Sequence, residues 1–95
     1  MKAIIVDDER LARNELKRLL ENFPHIEVIA EAANTDEAAT LLETLQPDVL
    51  FLDIQMPGKT GFEWLETWDG YLPEVIFTTA FDEYALKAFE VNALD

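Results

Sequence analysis

Val49 to Glu63 reads VLFLDIQMPGKTGFE. Its first four residues, Val49 to Leu52, form an apolar run long enough for a strand and too short for a helix. The run breaks at Asp53. Pro57, Gly58 and Gly61 follow, residue types that turn a chain rather than extend it. A buried strand that ends on a lone carboxylate, with a turn behind it, sets that acid at a rigid edge. What the acid faces depends on the segments to either side.

Those segments repeat the same rhythm. Ala3 to Asp7, AIIVD, is a second short apolar run ending on an acid. Leu11, Ala12, Leu16, Leu19, Leu20 and Phe23 recur at helical spacing after it, and Pro24 predicts a stop near Phe23. Ile26 to Ala32 alternates more and predicts a strand nearer the sheet edge. Asn34, with Glu37 three residues on, predicts a capping box. The helix it opens carries Ala38, Ala39, Leu41, Leu42 and Leu45, and Pro47 marks its end. A short third helix follows Thr60, with Phe62, Trp64, Leu65 and Trp68 as its apolar residues. Asp69 to Glu74 is a loop, Val75 to Thr79 a fourth strand, and Asp82 to about Asn92 a fourth helix with Ala85, Leu86, Ala88 and Phe89 inward. No repeat or low-complexity stretch is superimposed on this alternation.

Strands separated by helices imply right-handed crossovers and a parallel sheet. The first, third and fourth strands are apolar throughout, as a sheet covered on both faces requires. Ligands of such sheets sit outside the carboxyl ends of the strands. This chain places acids there: Asp7, Asp8 and Glu9 after the first strand and Asp53 after the third, with Thr78 and Thr79 ending the fourth. If the first and third strands are neighbours, Asp7, Asp8 and Asp53 converge at one rim. Three carboxylates in one pocket repel each other unless a hard cation neutralises them. Magnesium suits such oxygen ligands. One carboxylate can then serve as nucleophile toward a phosphoryl group.

Composition bounds the rest. A chain of 95 residues predicts one domain, 1–95. It buries roughly 65% of its unfolded surface, enough for one core. Hydrophobic residues make up 49%, which argues against disorder. The absence of cysteine excludes disulfides and thiolate metal sites and fits a cytoplasmic setting. No signal peptide is visible, and no apolar run approaches the roughly 20 residues of a membrane span. The formal net charge of −13 opposes binding to nucleic acid or anionic lipid and favours a basic partner or a cation.

Three ordered segments now carry a resemblance. IIVDDE (Ile4–Glu9), FLDIQMPGKTGFE (Phe51–Glu63) and IFTTAFDEYALKAFEVNALD (Ile76–Asp95) together resemble the response regulator receiver (CheY-like) domain, the last segment most like its LytR/AlgR branch. The resemblance covers the whole chain. It implies a flavodoxin-like three-layer α/β/α fold with a parallel sheet of order 2-1-3-4. The family's fifth strand, with its lysine, and its fifth helix would fall beyond Asp95, so the chain reads as a truncated receiver. The resemblance further implies that Asp53 is the phosphoacceptor, that Asp7 and Asp8 hold Mg2+ with Asp53, and that Gln55 offers the metal its backbone carbonyl. Thr79 matches the hydroxyl that contacts the phosphoryl group, small Ala80 leaves access, and Pro57 and Gly61 match the loop after the phosphoacceptor. The implied partner is a sensor histidine kinase. The implied chemistry is at most magnesium-dependent self-phosphorylation and dephosphorylation, not an enzyme acting on other molecules.

Alternative readings attach to several of these residues. Asp8 and Glu9 could only complement a helix dipole. Thr78 reads as strand packing, and His25 as a surface residue. Trp64 and Trp68 read as core, with an exposed contact as the alternative. Lys59 lies beside the site, but a lysine in such a loop is usually solvated. At the level of function, a phosphorylation-incompetent interaction module is the alternative to a phosphoacceptor. A phosphatase of the haloacid dehalogenase type would need an acid where Gln55 stands, and a flavin-binding loop would not carry three acids after the first strand. An apolar fourth strand at the sheet edge predicts a homodimer through that strand and the fourth helix.

Overall fold

The computed structural model describes residues 1–78 of the chain. Four strands and three helices alternate along them: β1 (Lys2–Val6), α1 (Arg10–Leu20), β2 (Glu27–Ala32), α2 (Thr35–Leu45), β3 (Val49–Leu52), α3 (Gly61–Thr67) and β4 (Glu74–Phe77). The strands form one parallel sheet in the order β2-β1-β3-β4. This is the flavodoxin-like order expected. The fourth helix expected over Asp82 to Asn92, and Thr79 and Ala80, lie outside the described residues.

Side chains alternate across the two central strands, and each set finds its own helices. Ile4, Val6, Leu50 and Leu52 face α2 and α3, where Ala38, Leu42 and Trp64 close over them with Met56. Ala3, Ile5, Val49 and Phe51 face α1, where Leu16 and Leu20 cover them. Each large side chain fully buried here contributes about 1.5–3 kcal/mol. β1 and β3 are thus pinned from above and below. β2 is half-buried at one border, as its alternating sequence predicts. Its pairing with β1 slips by one residue at Ile29, where Ala3 pairs with Val28 and Ile4 with Ala30.

Several boundaries differ from the sequence reading. α1 ends at Leu20 rather than near Phe23, because Glu21, Asn22 and Phe23 tighten into bonds to the carbonyls three residues back. Leu11, Leu19 and Phe23, which recur at helical spacing with Leu16 and Leu20, are exposed. The sheet presents α1 with room for one narrow row, and Leu16 and Leu20 fill it. Asn34 caps α2 by accepting from the Glu37 N–H, but the Glu37 carboxylate returns to the Ala33 N–H instead of Asn34. The full reciprocal box lies at α3, between Thr60 and Glu63. Phe62 is exposed on α3 and packs against Phe77, ring centroids 4.7 Å apart and planes tilted by 51°, while Trp64 is core. β4 spans Glu74–Phe77, starting one residue before the expected Val75, and Thr79, its expected end, lies outside the described residues; the strand is half-buried, since it borders the sheet among the described residues.

Candidate functional site

The site is built by the ends of three strands. Beyond β1, the Asp7 N–H still donates to the Ala32 carbonyl at 3.0 Å. Beyond β3, the Asp53 N–H donates to the Val6 carbonyl at 2.9 Å. Beyond β4, the Thr78 N–H donates to the Leu52 carbonyl at 3.0 Å. The ladder therefore runs one residue past the strands, and Asp7 and Asp53 hang from adjacent rungs rather than from loops. Asp7, Asp53 and Thr78 are buried, while Asp8 is exposed. Carboxylate oxygens of Asp7, Asp8 and Asp53 all lie within 4.8 Å of one another. The convergence expected from the sequence is present.

Local hydrogen bonds aim these acids. Asp7 Oδ1 accepts from the Glu9 N–H at 2.9 Å, and Asp53 Oδ1 accepts from the Gln55 N–H at 3.3 Å. Each acid thereby folds the backbone that follows it into a turn. Gln55 itself is exposed two residues from Asp53. The loop then needs glycine twice. Gly58 has φ +85°, a left-handed conformation that side chains disfavour. Gly61 donates to the Ile54 carbonyl at 2.8 Å, and a Cβ there would sit 2.7 Å from the Asp53 carbonyl oxygen. α3 can thus start directly against the end of β3. Lys59 is exposed in the same loop, as read from the sequence.

The electrostatics are those of a crowded anionic site. Burial pushes the Asp53 carboxyl from 3.8 up to about 6, with the charges of Asp7 and Asp8 adding to it and the Gln55 N–H opposing. Asp7 is also raised, first by burial and then by Asp8 and Glu9, against the lowering effect of the Glu9 N–H and of Arg13. Three hard oxygen donors, two of them held partly out of water, fit a divalent cation of the magnesium class. Asp8, exposed, forms the solvent side of the cluster.

Sequence reading missed one neighbour of this site. Arg13 Nη1 donates to the Asp7 backbone carbonyl at 2.7 Å, and its Nε donates to Glu31 on β2. No local motif signals that pairing, because Glu31 is 18 residues away and reaches Arg13 only through the sheet.

Comparison with protein families matches residues 3–95 to the response regulator receiver domain. The chain belongs to this family. Among curated proteins, this receiver domain is 51% identical over 96 residues to an uncharacterized response regulatory protein of Vibrio cholerae, with all of the chain and 40% of that protein covered. It is likewise 51% identical to the transcriptional regulatory protein BtsR of Salmonella typhimurium, with the same coverage. The receiver domain thus spans about 40% of the length of the curated relatives it matches. Among solved structures it resembles the response regulatory domain of mrkE from Klebsiella pneumoniae (TM-score 0.73, 32% identity, 97% of this chain and 77% of that one). It also resembles the response regulator domain of Thermotoga maritima CheB (TM-score 0.70, 29% identity, 93% and 72%). Among the described residues, no helix is long and apolar enough to cross a membrane.

Proposed function

We propose that this receiver domain accepts a phosphoryl group on Asp53 from a sensor histidine kinase in the cytoplasm, with Mg2+ held by Asp7, Asp8 and Asp53. The observation that carries the reading is the placement of Asp53 at the end of β3 with its oxygens within 4.8 Å of those of Asp7 and Asp8. A carboxylate so placed is rigid, partly desolvated and beside a cation-binding pair. When bound, Mg2+ would offset the negative charge of the carboxylates and of the incoming phosphoryl oxygens. In the transfer, an Asp53 carboxylate oxygen forms the O–P bond as the N–P bond of a phosphohistidine breaks. The electron pair returns to the imidazole. Asp7 is fixed through both its N–H and its carboxylate, and Asp8 completes the open side of the site. Gln55 would add its backbone carbonyl to the metal, and Thr79 its hydroxyl to the phosphoryl group, on the strength of the sequence match.

The same reading extends to the whole protein. Relatives named as transcriptional regulators support a receiver that controls a transcriptional output, and the segment Ile76–Asp95 supports a LytR/AlgR-type regulator. With a net charge of −13, this domain would leave nucleic-acid contact to other parts of the protein. Phosphorylation would alter association between copies, with the outer edge of β4 as the pairing surface. The test of the central claim is incubation with acetyl phosphate and Mg2+, followed by intact mass. Wild type gains one phosphoryl group, and Asp53→Asn gains none. Equal labelling of the two overturns the assignment.

A further inference from the structure

Arg13 follows Arg10 near the start of α1, close to the positive end of the helix dipole but beside the acids Asp7, Glu9 and Glu31. Its side chain is only 14% exposed. The guanidinium fork spends its donors on two partners from different parts of the fold. Nε meets Glu31 Oε1 at 2.7 Å on β2, and Nη1 meets the Asp7 carbonyl at 2.7 Å in the turn after β1. Glu31 is in turn held by Lys17 Nζ at 2.6 Å. Two cations hold the Glu31 carboxyl below the usual carboxylate range, so it stays an acceptor for Arg13.

The Asp7 carbonyl belongs to the peptide that joins Asp7 to Asp8. The Asp7 N–H belongs to the preceding peptide and bonds to Ala32, and Asp7 Oδ1 accepts from Glu9. The Arg13 contact holds the Asp7–Asp8 peptide itself, at its carbonyl. Asp8 hangs from it and is exposed.

We infer that Arg13 is a positioning residue for the metal-binding acid pair: its fork ties the Asp7–Asp8 peptide to Glu31 on β2 and so sets the direction from which Asp8 reaches the cation. The inference rests on the reading of Asp7, Asp8 and Asp53 as a Mg2+ site, and it makes β2 and α1 part of that site's support. Groups that orient metal ligands without touching the metal commonly carry a substantial part of the affinity.

Charge and position predict opposite signs. Removing a guanidinium beside a cation site should tighten Mg2+ binding if only the charge matters. It should weaken binding if the held peptide matters. Mg2+ is titrated calorimetrically into wild type, Arg13→Met, Arg13→Lys and Lys17→Met, each below its melting temperature. Arg13→Met is expected to bind Mg2+ roughly tenfold more weakly. Arg13→Lys keeps the charge and the helix but cannot bridge both partners, and it should fall between that variant and wild type. Lys17→Met loses a bond to the same Glu31 without touching Asp7, and its affinity should not weaken. Unchanged or tighter binding by Arg13→Met, or equal weakening by Lys17→Met, overturns the inference while leaving the metal site standing. Absence of Mg2+ binding by wild type overturns the metal reading itself and this inference with it.

Discussion

Asp53 carries opposing demands. As the proposed nucleophile it must be ionised, and as a buried neighbour of Asp7 it resists ionisation. Its carboxyl is raised from 3.8 to about 6, so the folded chain holds a proton there at pH values where the unfolded chain has released it. Stability from this group is therefore present at low pH and declines as pH rises from about 3.8 toward 6, with the full cost felt above that window. Asp53→Asn removes the cost. Without metal, the variant should be more stable than wild type by about 1–2 kcal/mol near neutral pH, after allowance for solvent screening. The difference should shrink at about pH 4.5. Millimolar Mg2+ should raise the wild-type melting temperature and leave the variant nearly unmoved, because the ion binds the folded state selectively. Thermal melts at the two pH values, with and without Mg2+, check this. A variant less stable than wild type at neutral pH would show that the repulsion is not felt.

Among the elements, α3 and its approach are tied most tightly to the chemistry. The Thr60–Glu63 box fixes where the helix starts, and Gly61 lets that start press against the Asp53 carbonyl. Gly61→Ala places a methyl group 2.7 Å from backbone oxygen, which cannot rotate aside as a flexible side chain could. We expect it to cost about 1–3 kcal/mol and to slow labelling of Asp53 by acetyl phosphate even at temperatures where the variant is folded. Circular dichroism melts and intact-mass time courses measure the two effects, and a stable variant labelled at the wild-type rate would refute the constraint. Much of the framework was legible in sequence because strands that end on acids announce a sheet rim, and Asp7, Asp8 and Asp53 follow from that alone. The exposure of Leu11, Leu19 and Phe23 was not legible, since helical spacing marks a stripe without its width. Arg13 was hidden for a different reason: its partners meet it only once β1 and β2 are in register.

At the scale of the whole molecule, surface charge is unevenly distributed. Arg10, Arg13, Lys17 and Arg18 lie on α1, and no Lys or Arg occurs between Arg18 and Lys59. The face formed by α2 and α3 is correspondingly anionic, with Asp36, Glu37, Glu43, Glu63 and Glu66 on it. Self-association through that face would be opposed by like charges. Half-buried β4, at the sheet border among the described residues, is the better candidate, and the helix expected beside it lies outside them. Light scattering coupled to size exclusion should give twice the mass of one chain at high protein concentration, and a single-chain mass throughout would refute the dimer.

The bond from the Asp53 N–H to the Val6 carbonyl has a consequence of its own. It means that the separation of Asp53 from Asp7 is set by the spacing of neighbouring strands, about 4.8 Å, and not by loop conformations. Helices and loops around such a site can be resurfaced for new partners while that gauge stays fixed. The sheet acts here as a ruler, and the surfaces that read its output are free to vary around it.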